Sequence, residues 1–89
     1  MATYKSKHQY NHKRHTSFAV RVVREGKIYL AYVSGYQLGM RKAKATARKL
    51  KRLIILFLDV VGDTRTAEDL LKLRNCPGCV DRLYQEIFS

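Results

Sequence analysis

Between Met40 and Val61 the residues Ala43, Ala47, Leu50, Ile54, Phe57 and Val61 recur at intervals of four and three. At 100° per residue that spacing puts them on one stripe of a helix. Arg41, Lys44, Arg48, Lys51 and Arg52 fall on the opposite side of the same wheel, with Lys42 and Lys49 flanking them. A fold that contains this helix must lay the stripe on an apolar surface and turn a dense cationic ridge outward. No acid interrupts residues 41–52, whereas a solvated face normally interleaves carboxylates to relieve like-charge repulsion between successive turns. The ridge is therefore predicted to contact a polyanion, whose phosphates would offset the repulsion and release counterions. Near the end of the segment Ile55, Leu56 and Leu58 project from the side that carried Arg and Lys one turn earlier, so later elements must cover them. With no Pro, Gly or cap residue before Gly62, a continuous helix to Val61 is preferred over a strand from Leu53 to Val61.

The surface that receives the stripe is predicted to be a β-hairpin. Phe18 to Ser34 is rich in Val, Ile and Tyr, and Glu25-Gly26 interrupts it near the middle as a two-residue turn does. If Arg24 pairs with Lys27, then Val22 lies opposite Tyr29, Val20 opposite Ala31 and Phe18 opposite Val33, which makes one apolar face. The other face carries Arg21, Val23, Ile28, Leu30 and Tyr32. It is mixed rather than polar, so a one-residue slip would exchange the two; burial of the Phe18 face is preferred. Gly35 to Gly39 is a short third strand or a turn. After Gly62, Thr66 is a candidate N-cap with Glu68 and Asp69 in its first turn, where carboxylates suit the helix dipole. Val80, Leu83, Tyr84, Ile87 and Phe88 then follow an i, i+3, i+4, i+7, i+8 pattern after the Cys76-Pro77-Gly78 turn. The fold class expected is α+β: an antiparallel two- to three-stranded sheet packed on one long helix, followed by two short C-terminal helices. The domain organisation expected is a flexible basic arm over residues 1–17 and a single α+β domain over residues 18–89.

Charge divides the chain along the same line. Of its 89 residues, Met1 to Arg52 contain 14 basic residues against the single acid Glu25, for +13, while Leu53 to Ser89 contain 4 basic residues against 6 acids, for −2. A basic half and a nearly neutral half suggest one part that holds phosphates and one that selects a partner or buttresses the first. The arm contributes Lys5, Lys7, Lys13 and Arg14 together with three histidines and two tyrosines, as in basic arms that fold onto phosphates or enter a minor groove; a solvated tail is the alternative. The longest apolar run, Leu53 to Leu58 with Val60 and Val61 beyond it, falls far short of the roughly 20 residues that span a bilayer. That run is also a candidate homodimer surface. A polar N-terminus and two cysteines point to a cytoplasmic chain without a disulfide framework.

Cys76 and Cys79 have the spacing of a metal knuckle or a redox dithiol, because a tight Pro-Gly turn aims two sulfurs at one point. Zinc would need two further ligands, and His8, His12 and His15 all lie in the arm. A plain interhelical turn, with no cofactor, is preferred. Tyr32 and Tyr36 are candidate contacts for bases or phosphates, while Tyr29 belongs to the core face. The chain offers no Ser/His/Asp spacing, no glycine-rich phosphate loop and no carboxylate pair suited to a shared pocket, so no enzymatic activity is expected.

The order hairpin, short third strand and helix, carried by Phe18 to Val23, Lys27 to Val33, Tyr36-Gln37-Leu38-Gly39 and a helix with Ala43 and Ala47 inward, resembles the AP2-type DNA-binding fold. That fold includes the arm-binding N-terminal domains of tyrosine-type phage integrases. The resemblance covers residues 18–53 and implies that the sheet face away from the helix enters the major groove, nominating Arg21, Arg24, Lys27 and Tyr32 as contacts. The same build is similar to small phage-encoded inhibitors of host defence, of the anti-CRISPR type, which implies a partner that is a host protein or ribonucleoprotein complex. The function expected is a small, basic, phage- or mobile-element-encoded nucleic-acid-binding protein, DNA in preference to RNA. Its contacts would be Lys5, Lys7, Lys13, Arg14, Arg21, Arg24, Lys27, Tyr32, Arg41, Lys42, Lys44, Arg48, Lys49, Lys51 and Arg52.

Overall fold

A computed structural model describes residues 17–89; the arm residues Lys5, Lys7, His8, His12, Lys13, Arg14 and His15 lie outside the described residues. Glu25 and Gly26 both have positive φ, 50° and 78°, the backbone of a type I′ turn whose twist matches that of the strands on either side. This turn joins β1 (Ser17–Arg24) to β2 (Lys27–Ser34) in an antiparallel pair. The register is the predicted one: Arg24 faces Lys27, Val22 faces Tyr29, Val20 faces Ala31 and Phe18 faces Val33. Ser17, assigned by sequence to the arm, is the first residue of β1. The Phe18 face is the covered one, with Val20, Val22, Tyr29, Ala31 and Val33 buried and Phe18 partly so.

No third strand follows among the described residues. Ser34 instead caps a single helical turn, α1 (Gly35–Leu38), its Oγ accepting the Gln37 N–H at 3.3 Å. A short polar side chain that satisfies a free N–H turns the backbone out of extended geometry.

The long helix α2 (Met40–Leu56) runs on without a break into one wide turn of π-helix, Phe57–Val61, and stops at Gly62. Gly62 adopts the left-handed conformation, φ 75°, which a glycine takes at no steric cost. Ala43, Ala47, Leu50 and Ile54 are buried as the stripe requires, and Phe57 is half-buried. Val61 departs from the stripe and is 55% exposed. The π turn Phe57–Val61 is wider than an α-helical turn and shifts the phase of the side chains, which rotates Val61 off the stripe. Thr46 and Leu53, beside the stripe, are buried as well, because the C-terminal helices cover that flank.

These helices are α3 (Thr64–Leu70), continued by a 3₁₀ segment Leu71–Asn75, and α4 (Pro77–Phe88). Asp63, not Thr66, caps α3: its carboxylate accepts the Thr66 backbone N–H at 3.0 Å and the Thr66 hydroxyl as well. Those two hydrogen bonds, from the hydroxyl first and the backbone second, hold the Asp63 carboxyl below the usual aspartate range. Ala67, Leu70 and Val80 complete one core with the hairpin and α2, and Ile55, Leu58, Leu83 and Ile87 pack around it. No helix among the described residues is long and apolar enough to cross a membrane.

Candidate nucleic-acid interface

The inner face of the sheet lies on the stripe of α2, so the ridge and the outer sheet face point in opposite directions. The predicted contacts on the ridge and those on the outer sheet face, Arg21 and Tyr32, therefore occupy two separate surfaces, and the cations of the hairpin and the ridge differ in what they already bind.

Arg24 and Lys27 are not on the outer face. By alternation they belong to the inner side at the hairpin tip, where each finds a carboxylate from the C-terminal half. Arg24 donates through Nε and a terminal nitrogen to both oxygens of Asp59, at 2.8 and 3.0 Å, and also donates to the Val23 carbonyl. This fork-shaped pairing raises the Arg24 guanidinium further and holds the Asp59 carboxyl below its ordinary range, chiefly through the hydrogen bonds. Lys27 pairs with Glu68 and lies over the Tyr29 ring at 5.2 Å. On the outer face, Arg21 and Tyr32 remain exposed among Val23, Ile28 and Leu30.

A similar tethering takes Lys49 from the flank of the ridge and Arg52 from the ridge itself. Lys49 pairs with Asp81 of α4 at 2.9 Å. Arg52 donates to the Tyr84 hydroxyl and lies over the Phe88 ring, 4.6 Å from its centroid, where the ring face attracts the guanidinium. Tyr84 and Phe88 are themselves stacked with a tilt, 4.6 Å between centroids. No short-range pattern marks these partnerships, since the pairs lie 32 to 41 residues apart.

Arg41, Lys42, Lys44, Arg48 and Lys51 remain. All five are exposed, and none has a carboxylate partner among the described residues. Arg41, Lys44 and Arg48 surround a shallow depression of about 210 Å³ floored by Ala45. The i, i+3, i+4 and i+7 positions meet on one side of a helix, and the small residue among them leaves room for an anion under three cationic side chains. Arg41 to Lys51 spans about 15 Å of helix axis. The first turn of α2 contains no acid, so the positive end of the helix dipole adds to the field of the side chains.

Cys76 and Cys79 are joined in a disulfide across the turn that leads into α4. Among the described residues no group of three or more His, Cys, Asp or Glu side chains could hold a metal ion. The chain matches no protein-family model, no curated protein and no solved structure.

Proposed function

We propose that the protein is a nucleic-acid-binding module, DNA in preference to RNA, that grips phosphates along the outer ridge of α2. The observation that carries this reading is the selective use of carboxylates. Asp59, Glu68 and Asp81 each neutralise a cation from the basic half, at Arg24, Lys27 and Lys49, while Arg41, Lys42, Lys44, Arg48 and Lys51 have no such partner among the described residues. A face kept positive at a cost in helix stability fits an external anion. Five phosphate contacts predict a slope of about −4 to −5 in log affinity against log salt on duplex DNA. Affinity should then fall a few hundredfold between about 50 and 200 mM salt. A gel-shift series with duplex DNA, single-stranded DNA and RNA tests this. Absence of binding at low salt, or affinity unchanged across the series, would remove the reading.

The ridge, rather than the sheet, is the binding surface in this proposal. Groove docking of the AP2 type would draw on Arg21, Arg24, Lys27 and Tyr32, of which Arg24 and Lys27 are tethered elsewhere.

A second reading, inhibition of a host protein or ribonucleoprotein complex, is favoured by the outer sheet face. Ile28 and Tyr32 are 55% and 56% exposed there, beside Val23 and Leu30, and exposed apolar patches often serve as partner surfaces. Under this reading Leu30→Asp abolishes function while reversal of the ridge is tolerated, the opposite of what ridge binding requires.

A further inference from the structure

The Cys76–Cys79 pair contributes to neither set of predicted contacts and is built into the start of α4. Cys76 is the N-cap: its Sγ accepts the Cys79 N–H at 3.3 Å, and its carbonyl accepts the N–H groups of Cys79 and Val80 at 3.0 and 3.1 Å. Pro77 occupies the first helical turn, and no acid lies there. One residue beyond the motif, Val80 is fully buried in the core, so the turn is anchored whether or not the sulfurs are joined. Cys76 is half-buried and Cys79 is exposed.

A structural staple would be placed differently. A disulfide stabilises mainly by restricting the unfolded chain, and the effect grows with the length of the loop it closes. This one joins residues three apart, within a turn already held by backbone hydrogen bonds and by Pro77. We propose that Cys76–Cys79 is a reversible thiol–disulfide exchange site that takes an external dithiol as its reductant.

The geometry gives each sulfur a role. A thiolate of the reductant attacks the Sγ of Cys79, the more exposed residue of the pair, and the S–S bond breaks. The bonding pair leaves on Cys76 Sγ, which sits at the positive end of α4 against the Cys79 N–H, a position that favours a negative sulfur. The second thiolate of the reductant then attacks its own sulfur in the mixed disulfide, closing a cyclic disulfide and releasing Cys79. Two electrons and two protons pass from the dithiol to the protein, and the reverse sequence reoxidises the pair. The chemistry is stoichiometric, one dithiol consumed for each disulfide opened.

The full-length protein, equilibrated in buffers of graded reduced-to-oxidised dithiothreitol ratio, provides the test, with thiols trapped by alkylation and counted by mass spectrometry. Both thiols should appear together in one two-electron transition, with the far-ultraviolet circular dichroism unchanged across it. In single variants, the Cys76 thiol of Cys79→Ser should react with iodoacetamide at least about tenfold faster than the Cys79 thiol of Cys76→Ser, and urea should abolish the difference. The proposal is overturned by a pair that resists reduction at every ratio, by loss of helical signal on reduction, or by equal alkylation rates in the two folded variants.

Discussion

Glu25 carries a side chain through a region of backbone space that favours glycine, at φ 50°. The left-handed conformation costs an ordinary L-residue about 1–2 kcal/mol, and asparagine is the residue that type I′ turns accept best before glycine. Glu25→Asn is therefore expected to raise stability by up to about 1 kcal/mol, seen as a higher midpoint in thermal or urea unfolding. Asp59 and Asp63 illustrate a different local effect. Both carboxyls titrate below their ordinary value in the fold, Asp59 through its hydrogen bonds from Arg24 and Asp63 through those from Thr66. The unfolded chain consequently binds more protons at low pH, so their contribution is complete above the unfolded value of about 4 and is lost as pH falls through the depressed folded values. Melting temperature should hold level in this respect from neutrality to about pH 5 and fall below about pH 4. Asp63→Asn should keep the cap and shallow the acid limb, whereas Asp63→Ala should lower the melting temperature at neutral pH; thermal melts of the three proteins across that range decide it.

At the scale of elements, what could be read from the sequence depended on how far apart the determinants lie. The hairpin register was legible because a two-residue turn and an alternating apolar pattern are both local, and Gly62 marked the helix end for the same reason. The helical turn after β2 was less visible, since Gly35 to Gly39 suits several conformations until the Ser34 hydroxyl is seen to accept the Gln37 N–H. Val61 kept the arithmetic of the stripe but lost its burial because the last turn widens to a π turn, which breaks the 3.6-residue period. The ridge itself was legible as an acid-free cationic face. Its reduction to five untethered cations was not, since Asp81, Tyr84 and Phe88 reach Lys49 and Arg52 only once α4 has docked. Leu50 lies where the hairpin, α2 and the C-terminal helices share one core, and it is fully buried. Leu50→Ala should cost about 2–5 kcal/mol, measured as a lower urea midpoint without a change of slope; a loss below about 1 kcal/mol would mean that the stripe is not packed as described.

Across the whole molecule, the charge of the basic half is sorted rather than spread. The π turn and the C-terminal helices bring carboxylates to the hairpin tip and to one flank of α2, and leave the outward ridge positive. Stability and binding should therefore respond in opposite directions to one substitution. Lys44→Glu places a carboxylate four residues before Arg48 and three after Arg41, the spacing at which opposite charges support a helix. The order with Glu preceding the cation is also the better one. Each such pair is worth about 0.2–0.5 kcal/mol, so the variant should unfold at a midpoint equal to or slightly above that of the wild type. The same change removes one cation from the depression floored by Ala45 and puts an anion in it. Affinity for duplex DNA at low salt should fall at least about tenfold, and the salt slope should shrink by about one or more contacts. Leu30→Asp on the opposite sheet face should leave both affinity and slope unchanged. Gel shifts and urea unfolding on the same two variants make the comparison complete. If Lys44→Glu stabilises the fold and binds DNA as well as wild type, the ridge is an ordinary solvated face. If it stabilises the fold and loses DNA, like-charge repulsion along α2 is retained for phosphate binding.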